Sequence, residues 1–373
     1  MDPTPTYKHP LASGKRGPKV LAALSGGVDS SCAALMLKRK GYHVLASTMK
    51  LLGGEDHNGN SLKKCCSASD IEDARKAAQI LDLDFLVFNF RLLFAQEVIT
   101  RFADLYSRGL TPNPCVLCNR YMKWHHLWDR AKALGCDYIA TGHYARVERE
   151  DGRYLLKKAR DLSKDQSYVL YHLTQEELSR TLFPLGDMLK TNVRKIAHEA
   201  GLLNAQKPES QDICFVPQGG YADFLEGILK SPPPPGDILD LRGNILGRHK
   251  GIHHYTIGQR QGLGLPGPKP SYVLKIDADK NTIIVGGPED TPSSAMLVGD
   301  FNLIAIPELK PDTHAQVKIR YRHKEVPSRL FPQGQDKVLV EFQQDQKAVS
   351  PGQAAVFYLQ DTVLGGGTII SVL

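Results

Sequence analysis

The chain has 373 residues, of which 42% are hydrophobic and 23% charged, with a formal net charge of +7. This is the profile of an ordinary globular protein with material for two or three domains. No apolar run approaches the roughly 18 residues that span a bilayer, so no membrane partner is expected, and the basic balance mildly favours a polyanionic one.

Met1 to Lys19 is polar, carries Pro3, Pro5, Pro10 and Pro18, and lacks the apolar stretch of a secretory signal. It reads as a disordered leader over 1–18, and the expected location is the cytoplasm. Lys19 to Leu24 is a predicted strand, followed by Ser25-Gly26-Gly27-Val28-Asp29-Ser30 and a predicted helix from Ser30 to Arg39 with Gly41 as its stop. Tyr42 to Thr48 reads as a second strand. Ser69 to Leu81 reads as a helix that Ser69 and Glu72 open as a capping box. Phe85 to Phe90 is a third strand, Leu93 to Arg108 a helix and Tyr138 to Thr141 a further strand. Strands alternating with helices imply an α/β fold, a parallel sheet with helices on both faces.

After about Pro217 the texture changes. Ser231 to Gly236 holds four consecutive prolines and reads as a linker or surface loop. Short apolar or β-branched runs follow at Tyr272 to Ile276, Thr282 to Val285, Ala315 to Arg320, Lys337 to Phe342, Ala354 to Leu359 and Thr368 to Val372. Turn residues separate them, which suggests an antiparallel barrel or small sheet domains. Gly365-Gly366-Gly367 reads as a turn before a closing strand.

Two motifs carry chemistry. Glycines between a strand and a helix let backbone N–H groups approach phosphate oxygens, and the helix N-terminus adds favourable dipole charge. In Ser25–Ser30 the serines add hydroxyl donors, while Asp29 either holds Mg²⁺ or caps the helix. No Gly-Lys-Ser/Thr follows, so this is not a Walker A loop. It resembles the pyrophosphate (PP) loop of ATP pyrophosphatases, which cleave ATP to AMP and pyrophosphate while adenylating a substrate. Met49 and Gly142 fall at strand C-termini, where nucleotides bind in this architecture.

The second motif is cysteine-based. Of seven cysteines, Cys32 and Cys136 sit in apolar stretches and read as small buried hydrophobes. Thr111-Pro112-Asn113-Pro114-Cys115-Val116-Leu117-Cys118-Asn119-Arg120 is a stiff loop running into a helix, with Arg120 and Lys123 close by to favour a thiolate. Cys214 lies in a second polar stretch, Ser210-Gln211-Asp212-Ile213-Cys214-Phe215. No second CxxC or histidine pair completes a structural zinc site. Cys65-Cys66 reads as incidental, His125-His126 as packing, and His253-His254 as structural or RNA-facing rather than metal-binding.

Assembled, these residues resemble the tRNA-specific 2-thiouridylase family over nearly the whole chain. The match rests on Ser25–Ser30, Thr111–Arg120, Ala140-Thr141-Gly142-His143-Tyr144-Ala145-Arg146, Lys164-Asp165-Gln166-Ser167-Tyr168, Gln211–Phe215 and His254-Tyr255-Thr256-Ile257-Gly258-Gln259-Arg260. The resemblance implies a PP-loop, adenine nucleotide alpha hydrolase-like domain over 19–217, a small central domain over 218–286 and a tRNA-binding antiparallel β-barrel over 287–373. It implies ATP contacts from Ala23, Leu24, Ser25, Gly26, Gly27, Val28, Asp29, Ser30, Met49 and Gly142. Cys118 is then the catalytic nucleophile and Cys214 the persulfide carrier, joined in a transient disulfide. Asn113, Pro114 and Cys115 would line the target base, and His143, Lys164, Asp165, Gln166, Arg320, Tyr321 and Gln353 would contact tRNA.

The implied partners are tRNA and a cysteine desulfurase or sulfur-carrier protein, and the implied cofactors ATP and Mg²⁺. Some family members have Asp where this chain has Cys115. Cys115, Cys118 and Cys214 therefore leave a second route open, a [4Fe-4S] cluster with one free iron as in related tRNA thiolases.

Overall fold

A computed structural model of the chain describes residues 17–53, 68–205, 213–216, 220–266 and 269–373. The Cys65-Cys66 pair, Gln211-Asp212 and most of the N-terminal leader lie outside the described residues. Two compact units emerge: one runs to Glu97 and takes in Leu117–Phe215 and Asp361–Val363, and the other holds Val98–Val116, Val216–Gln360 and Leu364–Leu373.

The first unit is built on β1 (Lys19–Ala23), α1 (Val28–Arg39), β2 (His43–Lys50), α2 (Ala68–Ile80), β3 (Phe85–Asn89) and β4 (Tyr138–Ala140). β1 pairs in parallel with β2, Lys19 opposite His43, and with β4, Val20 opposite Tyr138. The sheet order is β3, β2, β1, β4 and the short strand Thr181–Leu182. Val20, Leu21 and Ala22 are almost wholly buried, as a central parallel strand covered on both faces requires. The core beneath joins Val20 and Ala22 to Leu35, Leu37, Ala74, Ala77, Ala78 and Leu202.

Three sequence expectations shift here. α2 already runs at Ala68, so Ser69 lies inside its first turn rather than at its cap. The helical stretch 91–107 starts two residues early and changes to π-helical pairing over Ala95–Thr100. The hairpin Ala145–Glu150 and Arg153–Lys158 has no counterpart among the predicted strands. Its alternation is masked by charge, but Asp151 and Gly152 both have positive φ, 47° and 82°, the signature of a type I′ turn.

In the second unit, Gly236–Leu239, Ile245–His249, Tyr272–Asp277 and Thr282–Gly286 form a four-stranded sheet. Its core is Ile238, Ile252, Tyr255, Leu263, Val273, Ile283 and Val285. The proline run leads straight into this sheet and is pinned there, since Asn281 Nδ2 donates to the Pro234 and Pro235 carbonyls at 3.1 and 3.3 Å. Six antiparallel strands then close a barrel in the order Pro292–Leu303, Lys337–Lys347, Val326–Gln333, Thr313–Lys318, Ala354–Leu359 and Thr362–Val372, the last pairing back to the first.

The glycine triplet is not a turn. Gly365, Gly366 and Gly367 lie within the closing strand, and a Cβ at Gly365 would stand 2.2 Å from the Asn302 carbonyl oxygen. Glycine there permits close backbone approach at the barrel seam. The strand expected to reach Arg320 ends at Lys318, which leaves Arg320 and Tyr321 on the following exposed turn.

Candidate active site

The phosphate loop joins β1 to α1, and its shape is set by a few close approaches. Gly26 has φ +75°, and a Cβ there would sit 2.5 Å from the Asp70 carbonyl oxygen. A Cβ at Gly142, just past β4, would sit 2.6 Å from the Ser30 amide nitrogen. Only glycine lets these two strand ends meet. Gly27 is the N-cap of α1 and supplies no side-chain cap. Asp29 therefore does not cap this helix, and the first-turn N–H groups have no capping side chain, an arrangement suited to an anion.

Hydroxyls stitch the loop together. Ser30 Oγ donates to the Gly27 carbonyl at 3.0 Å and accepts the Ser25 amide at 3.0 Å. With its single proton committed, Ser30 accepts from Ser25 Oγ at 3.2 Å. Asn204 Nδ2 donates to the Gly26 carbonyl at 3.1 Å and to Ser31 Oγ at 3.0 Å.

Asp29 has partners the sequence did not reveal. Lys190 Nζ lies 2.7 Å from both carboxylate oxygens, and Tyr144 Oη donates to Oδ1 at 2.8 Å. The Lys190 side chain is 8% exposed and opens the helix Lys190–Glu199. The available signal was a lysine in register with an apolar stripe, Lys190, Val193 and Ala197, where a charge is out of place unless paired.

Ala23, Leu24, Ser25, Asp29, Ser30, Met49 and Gly142 line one cavity of about 220 Å³ at the carboxyl ends of β1, β2 and β4. Strand order reverses there, between β1 and β4, the usual ligand crevice of such sheets. Gly26, Gly27 and Val28 shape the loop without lining that space. Thr48, Lys123, Thr141, His143 and Gln166 complete the wall.

His143 is buried, packed beside Trp124 and edge-on to Phe183. Burial, then the Lys123 charge, hold its pKa well below the ordinary imidazole value. Lys123 Nζ sits 3.3 Å from Nε2, and Thr141 Oγ1 2.7 Å from Nδ1. An ammonium only donates, so Nε2 accepts and Nδ1–H donates to Thr141. Next to Trp124, His172 is likewise buried, and desolvation lowers its pKa to about 3.

Cys118 and Cys214 both belong to this unit, and both are partly exposed. The helix begins at Pro114, so Cys115 stands in its first turn and Cys118 one turn later, at the start of the π-helix Cys118–Leu127. Asn113 caps that start, its Oδ1 accepting the Cys115 amide at 3.0 Å. The i→i+5 pairing of a π-helix places Lys123 one turn beyond Cys118. Phe215, fully buried and edge-on to Phe94, anchors the chain beside Cys214. Cys32 and Cys136 are buried as expected, and burial pushes the Cys32 thiol up to about 12, which makes it inert.

The remaining candidates divide by environment. Asp165 organises its own loop, accepting from the Ala159 amide at 3.0 Å and from Ser167 Oγ at 2.8 Å. Gln166 Oε1 accepts the Tyr144 amide at 3.0 Å, and Lys164 sits half-buried on the same loop. In the second unit Arg320 and Tyr321 are exposed beside Arg322 and Lys324, with Lys318 Nζ 5.9 Å from the Tyr321 ring centre. Gln353 Nε2 donates to the Thr111 carbonyl at 2.8 Å, and the Thr111 amide donates to the Pro351 carbonyl at 2.8 Å. A Cβ on Gly352 would stand 2.8 Å from that Thr111 amide, so glycine lets the clamp close on the loop that carries Asn113.

Comparison with known proteins gives a consistent picture. Family models match three consecutive stretches: a tRNA methyl transferase HUP domain over 18–218, a tRNA methyl transferase PRC-barrel domain over 222–287 and an aminomethyltransferase beta-barrel domain over 293–369. The tRNA-specific 2-thiouridylase MnmA of Natranaerobius thermophilus is 48% identical over 94% of this chain and 97% of its own. The proteins of the same name from Moorella thermoacetica and Symbiobacterium thermophilum are 48% and 47% identical, each over 94% of this chain and over 99% and 92% of their own. Among the described residues, no helix is long and apolar enough to cross a membrane.

Proposed function

The chain belongs to the tRNA-specific 2-thiouridylase family, and from that membership we propose that it replaces the C2 oxygen of a tRNA wobble uridine with sulfur at the expense of ATP. The tRNAs are those reading glutamate, lysine and glutamine codons. The observation that carries the reading is the cavity formed by the Ser25–Ser30 loop, Gly142 and Lys123 in the same unit as Cys118 and Cys214. Although two of the family models are described by methyl transfer, a phosphate loop with paired thiols suits adenylation and sulfur transfer.

The C2 carbonyl is a poor electrophile because its oxygen is a poor leaving group. That oxygen attacks the α-phosphorus of ATP, pyrophosphate departs, and the resulting adenylate makes the oxygen a good leaving group. The open N–H groups of α1 and the Lys123 ammonium stabilise the phosphate charge. The terminal sulfur of a Cys214 persulfide adds at C2, and AMP leaves with the oxygen. Cys118 thiolate then attacks Cys214 Sγ, which leaves sulfur on the base and a Cys118–Cys214 disulfide. A thiol reductant supplies two electrons to reopen it, and a cysteine desulfurase or sulfur-carrier protein reloads Cys214. The base must leave its stack to react, so the exposed basic turn at Arg320 and Tyr321 and the clamped loop of Asn113, Pro114 and Cys115 are assigned to holding tRNA and the target base.

Mg²⁺ would be supplied with ATP and would neutralise part of the phosphate charge. Asp29 is not a ready ligand for it, because Lys190 occupies both carboxylate oxygens. The relatives, named for 2-thiouridylation, lend the iron–sulfur alternative no support.

Nucleoside mass spectrometry of unmodified tRNA incubated with iron-free protein, ATP, desulfurase and cysteine tests the scheme. Cys118→Ser and Cys214→Ser should each abolish 2-thiouridine, whereas Cys115→Ser should retain measurable product. Iron-dependent activity lost equally in all three variants would overturn it.

A further inference from the structure

Glu226, His253 and His254 converge at a place that the proposed reaction does not use. The helix Tyr221–Ile228 carries Glu226, and the single 3-10 turn Ile252–His254 carries both imidazoles. Glu226 Oε1 lies 2.9 Å from His254 Nε2 and 3.7 Å from His253 Nε2, and the three donor atoms all fall within 4.8 Å of one another.

His253 is the unusual member. It is 1% exposed, and neither of its ring nitrogens has a hydrogen-bond partner. The 3.7 Å approach to Glu226 is beyond hydrogen-bonding length. A buried polar atom left unmatched costs about 1–3 kcal/mol, so such an atom calls for an explanation. Its Nδ1 edge is closed by backbone: a Cβ on Gly251, where φ is +138°, would stand 2.6 Å from Cε1 and 2.9 Å from Nδ1. Nε2 is the edge that faces the carboxylate.

We propose that Glu226, His253 and His254 bind a zinc-class divalent cation. Two imidazoles and one carboxylate suit zinc and its neighbours, whereas Ca²⁺ and Mg²⁺ prefer all-oxygen shells. Bonds of about 2.0–2.1 Å in a tetrahedron imply ligand-to-ligand edges of about 3.4 Å. The observed 2.9 and 3.7 Å separations bracket that value. The cation ties the helix to the start of the Tyr255–Arg260 segment, next to the Tyr221–Thr256 hydroxyl contact of 3.4 Å. Three protein ligands leave a fourth position for water. The other converging group among the described residues, His125, His126 and Asp129, has no member as deeply buried, and Asp129 is already paired with Lys132 at 2.9 Å.

Full-length protein stripped with chelator and titrated with Co²⁺ alone tests the site. One equivalent should bind with the visible absorption of tetrahedral nitrogen and oxygen coordination, distinct from the near-ultraviolet band of any thiolate-bound cobalt, and Zn²⁺ should displace it. Glu226→Gln and His254→Gln change side chains at accessible positions and should each weaken this equivalent by at least about tenfold. A His125→Ala/Asp129→Ala variant should leave it unchanged. Wild-type affinity no better than about 1 mM, a signal surviving both glutamine substitutions, or a signal lost instead with His125 and Asp129 would overturn the assignment.

Discussion

The cavity at the end of the parallel sheet and the basic turn of the barrel use their polar groups in opposite ways. In the cavity the side chains are already committed to one another: Ser25 to Ser30, Asp29 to Lys190 and Tyr144, His143 to Thr141 and Lys123. Glycine contacts fix the backbone that carries them. At the turn, Arg320, Tyr321, Arg322 and Lys324 are exposed to solvent. Preorganised dipoles are what a charged transition state needs, whereas a long polyanion is held by many weak, salt-sensitive contacts. A single change should therefore be severe in the first region and graded in the second.

Gly142→Ala is the harshest test of that contrast. Its Cβ would have to occupy space 2.6 Å from the Ser30 amide and 2.8 Å from the Asp29 carbonyl carbon. Pyrophosphate release should fall by about 100-fold or more, the scale of losing a preorganised phosphate donor, in protein that circular dichroism shows to be folded. A near-normal rate would mean that the loop is not the phosphate site.

Lys190→Met comes next. It removes the cation that holds Asp29, and stranding one partner of a largely buried pair costs about 3–5 kcal/mol at the upper end. Asp29 is 29% exposed, which moderates that penalty. Thermal unfolding should drop and the KM for ATP should rise, with Lys190→Arg recovering part of both. An unchanged melting temperature would show that the pair is incidental. For the same reason Asp29→Asn, which keeps an acceptor beside the buried ammonium, is a gentler probe of the loop than Asp29→Ala.

How much of this was legible beforehand depends on how each residue announces itself. β1 and β2 were visible because covered parallel strands read as apolar runs, β3 because it keeps an apolar run, Phe85 to Phe88, even at the sheet edge, and the phosphate loop because its chemistry is local in sequence. Lys190 and Asp29 meet across 161 positions, and no local pattern encodes that encounter. Strand Val326–Gln333 was missed because Pro327 and Pro332 read as breakers, although both hold paired positions opposite Gln316 and Val338. The long strand Pro292–Leu303 was missed for its polar start, and the glycine triplet was misread because its use is close approach rather than turning. Gln353 was singled out for tRNA, while its amide closes on Thr111, a contact only the folded chain displays.

On the other side of the comparison, Arg320→Ala should leave pyrophosphate release intact. It should lower the slope of log affinity against log salt for tRNA by about 1, the share of one phosphate contact. An unchanged slope would remove this turn from the binding surface. The smallest effect belongs to Gly227, exposed near the end of the helix Tyr221–Ile228, where an added Cβ meets nothing within 4 Å. Gly227→Ala should stabilise the protein by about 0.5–1 kcal/mol through helix propensity alone, the reverse of the same change at Gly142. Destabilisation there would show that space around the backbone is a poor guide to which glycines matter.

The central claim is that AMP departs carrying the uridine oxygen, and isotope labelling reads that directly. Unmodified tRNA with ¹⁸O at C2 of the wobble uridine is incubated with the protein, ATP, desulfurase and cysteine, and the AMP is analysed by mass spectrometry. One ¹⁸O in AMP for each 2-thiouridine formed is the predicted result. Unlabelled AMP alongside full thiolation would contradict adenylation of the base.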